Sequence, residues 1–179
     1  MAVALDEDPD EVRPFTEGVT LPVLIDPAHL VSEAYAVSNV PTVVWIDADD
    51  RIARPNAAEV GTDMFVDFTG VRPDEHFEAV RRWVRHGEVP EDAETPVADL
   101  DADEERARAA FRLAVHLRRS GDAEGAGIWF ARAAEWAPHD FTVRRAAMPL
   151  QGVDPFGEAF FALWEEWTAA GRPFHGIAR

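Results

Sequence analysis

The sequence predicts an α/β region followed by an all-α region, and three observations support this prediction. In the first part, short apolar runs of strand length alternate with segments whose apolar residues recur at helical spacing. A stretch over 88–102 is rich in Pro, Glu, Asp and Ala and contains few apolar residues. After residue 103 only helical spacing remains. We therefore expect an α/β domain over 1–87, a linker over 88–102 and a helical region over 103–179.

The beginning of the chain predicts two strands, each followed by a helix. Short apolar runs at 2–5 and 22–25, each ended by an Asp, indicate buried strands. Between them, Asp8 can cap a helix over 9–17 because its carboxylate can accept from the first free amides. After the second run, apolar residues recur at helical spacing over 30–37.

The clearest strand lies at 42–46, where the sequence Thr-Val-Val-Trp-Ile is β-branched or aromatic at every position. An Asp-rich turn over 47–50 and a return strand over 51–54 complete a predicted β-hairpin. The segment 55–70 has weak periodicity and receives no assignment. A helix over 73–87 follows, which begins with Pro and ends at Gly.

The second part of the chain predicts helices alone. Apolar residues recur at spacings of three and four in four segments, 109–120, 123–136, 141–150 and 156–170. The aromatic stripe of the last segment is typical of a buried helix face.

The chain is strongly acidic. It carries 34 Asp and Glu residues against 17 basic residues, all of them Arg, for a formal net charge of −17. This excess repels phosphate backbones and anionic lipid headgroups, and the Arg residues are scattered along the chain. We therefore expect neither nucleic acid nor a membrane surface as a partner. The absence of a signal-peptide pattern and of an apolar run of about 18 residues favours a cytoplasmic protein.

The sequence contains no Cys and no Lys. It can therefore supply no disulfide, thiolate metal site, iron–sulfur cluster, thiol nucleophile or lysine Schiff base from these 179 residues. The Asp-rich turn lacks the Gly and Glu of a calcium loop, since Ile52 and Ala58 occupy those positions. The six His form no metal-binding pair of the H-E-x-x-H kind, so surface or helix-end positions are expected for them. We predict no metal, no cofactor and no catalytic residue in this chain.

A proline directly precedes the predicted hairpin. Because proline lacks an N–H donor, its place at the entry to a buried strand needs an explanation, and such a bond is a candidate for the cis isomer. We predict that the Val40–Pro41 bond is cis, with Thr42 as the first residue of the strand.

Several elements resemble a known fold when they are taken in order. They are Leu21-Pro-Val-Leu-Ile-Asp26, Tyr35-Ala-Val37, Val40-Pro-Thr-Val-Val-Trp-Ile-Asp47 and Arg51-Ile52. Together they resemble the second half of the thioredoxin fold, and more narrowly the ResA/TlpA and alkyl-hydroperoxide-reductase-like thiol–disulfide proteins. The resemblance covers about 1–87 and implies an incomplete thioredoxin-like fold. It also implies that Val40, Pro41 and Thr42 face the redox motif and hold an extended peptide or thiol substrate. The alternative is that Val40 and Pro41 only set the strand entry.

The redox motif of the resembled proteins lies upstream of the segment that begins at Ala2. The resemblance therefore implies that a central strand and its helix are missing, which leaves two unpaired strand edges. One explanation is an internal start, because a bacterial group of such proteins with helical C-terminal regions carries the pattern Trp-Ala-x-x-selenocysteine-Gly-Ser. Gene finding reads a selenocysteine codon as a stop and therefore assigns the start to the next Met downstream. Met1 sits at the position expected for such a wrongly assigned start. The other explanation is a partner chain that fills the gap.

The helical part resembles one tetratricopeptide repeat, a helix-turn-helix unit of about 34 residues. The residues that carry this resemblance are Leu113, Ala114, Leu117, Gly121, Asp122, Ala126, Phe130, Ala133 and Pro138. Small residues allow two antiparallel helices to approach closely, Gly121 permits the turn, and Pro138 stops the second helix. An independent array needs about three repeats, and only one can be read here. The single repeat can therefore serve either in docking or capping or in peptide binding.

The leading hypothesis is a thioredoxin-like thiol–disulfide, or selenol-based, redox protein that lacks its redox motif in this chain, and we expect the chain alone to be inactive. The alternative is a non-catalytic protein–protein interaction module that uses the helical repeat. A protein or thiol substrate is the partner to consider, and unpaired strand edges allow self-association.

Overall fold

The computed structural model describes residues 1–37, 40–58, 63, 66, 72–94 and 96–171. Over these residues the protein is a mixed α/β structure, mostly helical, with two small sheets. Every strand among the described residues lies before residue 59, and the elements described after that residue are helices.

Two parallel strands joined by a helical connection open the chain. Strand β1 (Ala2–Ala4) pairs with β2 (Val23–Ile25). Helix α1 (Pro9–Val12) lies between them, and the carboxylate of Asp8 accepts from the Asp10 amide at 2.9 Å, as the predicted cap requires. The predicted helix over 9–17 continues only as a 3-10 turn after Val12, because Pro14 has no N–H to extend the α-helical pattern.

The predicted hairpin is present, and its second strand is longer than expected. Strand β3 (Thr42–Ile46) pairs antiparallel with β4 (Ile52–Ala58). In the turn, a carboxylate oxygen of Asp47 accepts from the amides of Asp49 and Arg51, both at 2.9 Å. A bulge places two residues of β4, one of them Pro55, opposite Val44. Proline lacks a backbone N–H, but no paired position needs that donor here, so the strand continues through Pro55.

The two sheets are separate. Within the part of the chain that the structure describes, β1 pairs with β2 and β3 pairs with β4, and no strand of one sheet pairs with a strand of the other. Two-stranded sheets are marginally stable by themselves, so each depends on what packs against it.

Helix α2 (Leu30–Ala34) follows β2, and helix α3 (Pro73–His86) follows the hairpin. The Trp83 ring of α3 stacks on the buried Trp45 ring of β3, with centroids 4.9 Å apart. The apolar side chains of α3 are only partly covered, since Phe77 and Val84 stay exposed.

Part of the predicted linker packs on the hairpin. A 3-10 turn (Glu91–Glu94) places the Asp92 carboxylate 2.8 Å from Nη2 of the buried Arg54, whose guanidinium lies over the Trp45 ring. The hairpin, α3 and this turn therefore form one packed unit.

Four helices make up the rest of the described chain: α4 (Ala102–Arg119), α5 (Ala123–Trp136), α6 (Phe141–Leu150) and α7 (Glu158–Ala169). Helix α4 begins seven residues before the predicted segment because Asp101 and Glu104 form a capping box. Helices α4 and α5 form the predicted helical hairpin, whose turn contains Gly121 with φ 87°. Its closely packed face consists of buried small residues and an edge-to-face pair between Phe111 and Phe130.

Candidate functional site

The loop that the sequence predicts to be functional is open to solvent. Its Val40–Pro41 bond is cis, as predicted. Val40 is 44% exposed and Pro41 is exposed, while Thr42 is half-buried where β3 begins. The structure therefore places these three residues together at one end of the hairpin, where another molecule could reach them.

Several large apolar side chains near the strands are also exposed. Those that stay between 39% and 55% exposed are Val19, Leu21, Leu24, Val40, Ile46 and Ile52. Exposed apolar surface beside unpaired strand edges is typical of a sheet that another segment can complete.

Helix α2 leads from β2 into this loop, and both of its ends are held. At its beginning, the Asp26 carboxylate accepts from the amides of Leu30 at 2.9 Å and Val31 at 2.7 Å. His29 before the helix and Ala36 after it have φ of 55° and 51°. The left-handed region is unfavourable for such residues, so surrounding contacts must hold both turns.

At its far end, α2 meets a buried ion pair of the helical region. The Arg108 guanidinium of α4 donates to both carboxylate oxygens of Asp140, from Nε at 2.7 Å and from Nη2 at 3.2 Å. Both side chains are almost completely buried. The remaining nitrogen, Nη1, donates to the backbone carbonyl of Glu33 at 2.7 Å.

The buried groups around α2 have shifted ionisation. Burial raises the pKa of the Glu33 carboxyl, although Arg112, whose Nη1 lies 3.4 Å from it, and Arg108 act in the opposite direction. Burial lowers the pKa of His29, which Asp26 partly opposes. His29 lies at the beginning of α2, which agrees with the helix-end positions expected for the histidines, but its side chain is buried.

Sequence reasoning missed this cluster. One signal was available, because Arg108 shares the helical stripe of Phe111 and Val115, which are both buried. A charge on an apolar stripe indicates a buried partner. The identity of that partner could not be read, since Asp140 lies 32 residues further along the chain.

Comparisons with protein-family models, with curated proteins and with solved structures found no match. Among the residues that the structure describes, no group of three or more His, Cys, Asp or Glu could hold a metal ion. In the same part of the chain, no helix combines the length and the apolar character needed to cross a bilayer.

Proposed function

We propose that this chain is the substrate-facing and helical part of a thioredoxin-like thiol–disulfide, or selenol-based, redox protein of ResA/TlpA resemblance. In this proposal the Val40–Pro41–Thr42 loop holds an extended peptide or thiol substrate. The nucleophile comes from a segment outside the 179 residues, because the sequence contains no Cys. A thiolate or selenolate of that segment attacks one sulfur of a disulfide, and the other sulfur leaves as a thiolate.

The observation that carries the proposal is the order and pairing of the strands. A parallel pair with a helical crossover precedes an antiparallel hairpin, and a helix packs on the hairpin through Trp83. The resembled fold has the same order after its redox motif and places one further strand between the positions of β1 and β3. Because β1 and β3 belong to separate sheets here, the proposal places the further strand between them.

The first test is to translate the genomic sequence upstream of Met1 in the same frame through any UGA codon. We expect a strand, a redox motif with selenocysteine or cysteine, and the beginning of a helix. The extended protein is then made with Cys at the selenocysteine position, and with Ser there as the matched control.

The extended Cys protein should reduce insulin disulfides, whereas the Ser control and the 179-residue chain should not. Both extended proteins should melt at higher temperature than the 179-residue chain and protect the amides of Val43, Val44 and Trp45 from exchange, because backbone groups paired in a sheet exchange slowly. No upstream motif, or equal stability and protection with and without the extension, would overturn the proposal.

A second candidate is a non-catalytic protein–protein interaction module that uses the helical repeat. It is favoured by large apolar side chains that the helical region leaves more than half exposed, namely Ile128, Phe156 and Phe161. The same experiment separates the two candidates. An upstream sequence without a redox motif would favour the interaction module, while insulin reduction by the extended Cys protein would favour the redox protein.

A further inference from the structure

Helix α2 is too short to be stable by its own hydrogen bonds. It has five residues, whereas isolated helices in water are marginal below about 12 to 15 residues. His29 before it and Ala36 after it have left-handed backbone conformations, which residues other than glycine rarely adopt. Its position must therefore come from contacts with the rest of the molecule.

Contacts from both regions of the molecule hold α2 in place. The beginning is held by Asp26, which belongs to the same α/β region and lies just before the helix. The end is held from two sides. Nη1 of Arg108 donates to the Glu33 carbonyl from the helical region, and Nδ2 of Asn56 on β4 donates to the Ala36 carbonyl at 2.7 Å.

Arg108 is itself fixed in place. Its bidentate contact with Asp140 defines the plane of the guanidinium, and Asp140 also accepts from the Thr142 amide as the cap of α6. The nitrogen that reaches Glu33 is therefore positioned by the junction between α4 and α6. The side chains of Arg108 and Asp140 are 3% and 0% exposed, so little water competes for these bonds.

The end of α2 is close to the candidate loop along the chain. Only three residues separate Ala36 from Val40. Each residue lets the chain advance by at most about 3.6 Å, so the position of Ala36 limits where the loop can begin. The other end of the loop is anchored where Thr42 pairs with Ala58 in the hairpin.

We propose that Arg108 is a positioning residue for the Val40–Pro41 loop, and that the helical region sets the loop's place through the carbonyl of Glu33. The helical region then acts on the candidate site of the α/β region through a defined contact. This inference rests on the contacts of α2 and not on the proposed redox function, so the two can fail independently.

The test uses the full 179-residue chain with Arg108→Lys. Lysine keeps a positive charge beside Asp140, so the helical region should stay folded, but it lacks the planar fork that reaches two partners at once. The matched control is Arg106→Lys on the same helix, whose exposed guanidinium pairs with Asp103 at 2.9 Å. A second variant, Arg108→Met with Asp140→Asn, removes the contact to Glu33 without leaving a buried charge unpaired.

Amide exchange and chemical shifts are measured by NMR. Both Arg108 variants should speed exchange at Ala36 and Val37 at least fivefold and shift the Val40 and Thr42 resonances. Amides of Ala126 and Ala133 in α5 should change less than twofold, and Arg106→Lys should change none of these signals.

Unchanged Val37 exchange or unchanged Thr42 shifts in either folded Arg108 variant would overturn the proposal. Equal acceleration in α2 and α5 would also overturn it, because Arg108 would then only stabilise the helical region. If the double variant does not fold, the Arg108→Lys result decides by the same criteria.

Discussion

Among the described residues, the helical region (102–171) buries fifteen apolar side chains almost completely, whereas the α/β region (1–94) buries four. Those four are Val12, Ala28, Trp45 and Ala57. One of them, Ala28, belongs to the core cluster of the helical region. The helical region therefore carries its own core, while the α/β region depends on its neighbours.

The α/β region compensates with buried polar contacts. Asp26, Glu33, Arg54 and Asn56 are each buried and each contacts a backbone group or an ion partner. Such contacts specify position, but an intact pair contributes little net stability because both groups lose water when they are buried, whereas removing one partner alone costs more. Equal substitutions should therefore have unequal effects in the two regions.

The largest difference is expected for one matched pair of truncations. Leu150→Ala in the helical core should lower the free energy of unfolding by about 2–5 kcal/mol, because Leu150 is 4% exposed and its removal leaves a cavity. Leu24→Ala on β2 should cost less than about 1 kcal/mol, because Leu24 is already 46% exposed. Urea unfolding followed by far-UV circular dichroism measures both, and equal losses would contradict the comparison.

The next effect concerns the contact that joins the hairpin to the predicted linker. Arg54→Met should lower the free energy of unfolding by about 2–3 kcal/mol, because it breaks the bond to Asp92 and removes a cation from the face of Trp45. The exposed Arg51→Met on the same hairpin is the control. Urea unfolding gives the stability, and the NMR signal of the Trp45 indole reports the local change. A loss equal to that of the control would mean that this turn does not support the hairpin.

Helix caps should show the same asymmetry on a smaller scale. Asp101→Ala removes the capping box of the 18-residue α4 and should cost about 1 kcal/mol. Asp8→Ala removes the cap of the four-residue α1, which is mostly exposed, and should cost less in the main unfolding transition. Thermal unfolding of the two variants measures the difference, and a larger cost for Asp8→Ala would reverse the expected order.

The smallest effect concerns the pH dependence at His29. Because burial lowers the pKa of His29 in the folded protein, the unfolded chain binds more protons just below its ordinary value of 6.5. This contribution to stability is present above pH 6.5 and is lost as the pH falls toward the lower folded pKa. Asp26 and Glu7 oppose the shift, and Arg145 adds to it.

His29→Asn should weaken this loss of stability on acidification, since Asn tolerates the left-handed backbone and does not titrate. Urea unfolding at several pH values between 7 and 5 measures it, with the exposed His116→Asn as the control. The raised pKa of Glu33 gives the free energy of unfolding a pH dependence of the opposite sign. Because Glu33 is present in both proteins, its contribution cancels when the free energies of His29→Asn and of the unsubstituted chain are subtracted at each pH. An unchanged slope would show that His29 does not carry the effect.

Much of the secondary structure could be predicted because its signals are local. Asp8 before Pro9 indicates the beginning of α1, Gly87 marks the end of α3, and the cis bond before Thr42 was also expected. The early start of α4 was missed although Asp101 and Glu104 are readable as a capping box. Such errors come from weighing local signals and not from lack of information.

The order of strands and helices, the acidic charge and the absence of a thiol can be read from the amino-acid sequence, because each depends on composition or on neighbouring residues. The pairing of Arg54 with Asp92, 38 residues away, and of Arg108 with the carbonyl of Glu33, 75 residues away, depends on how the elements pack in three dimensions. A buried charge needs a partner. The residue type shows that a partner is needed but does not show which group it is. Which group meets it depends on how the elements pack, since many acids along the chain carry the same charge and only packing brings one of them within hydrogen-bond distance.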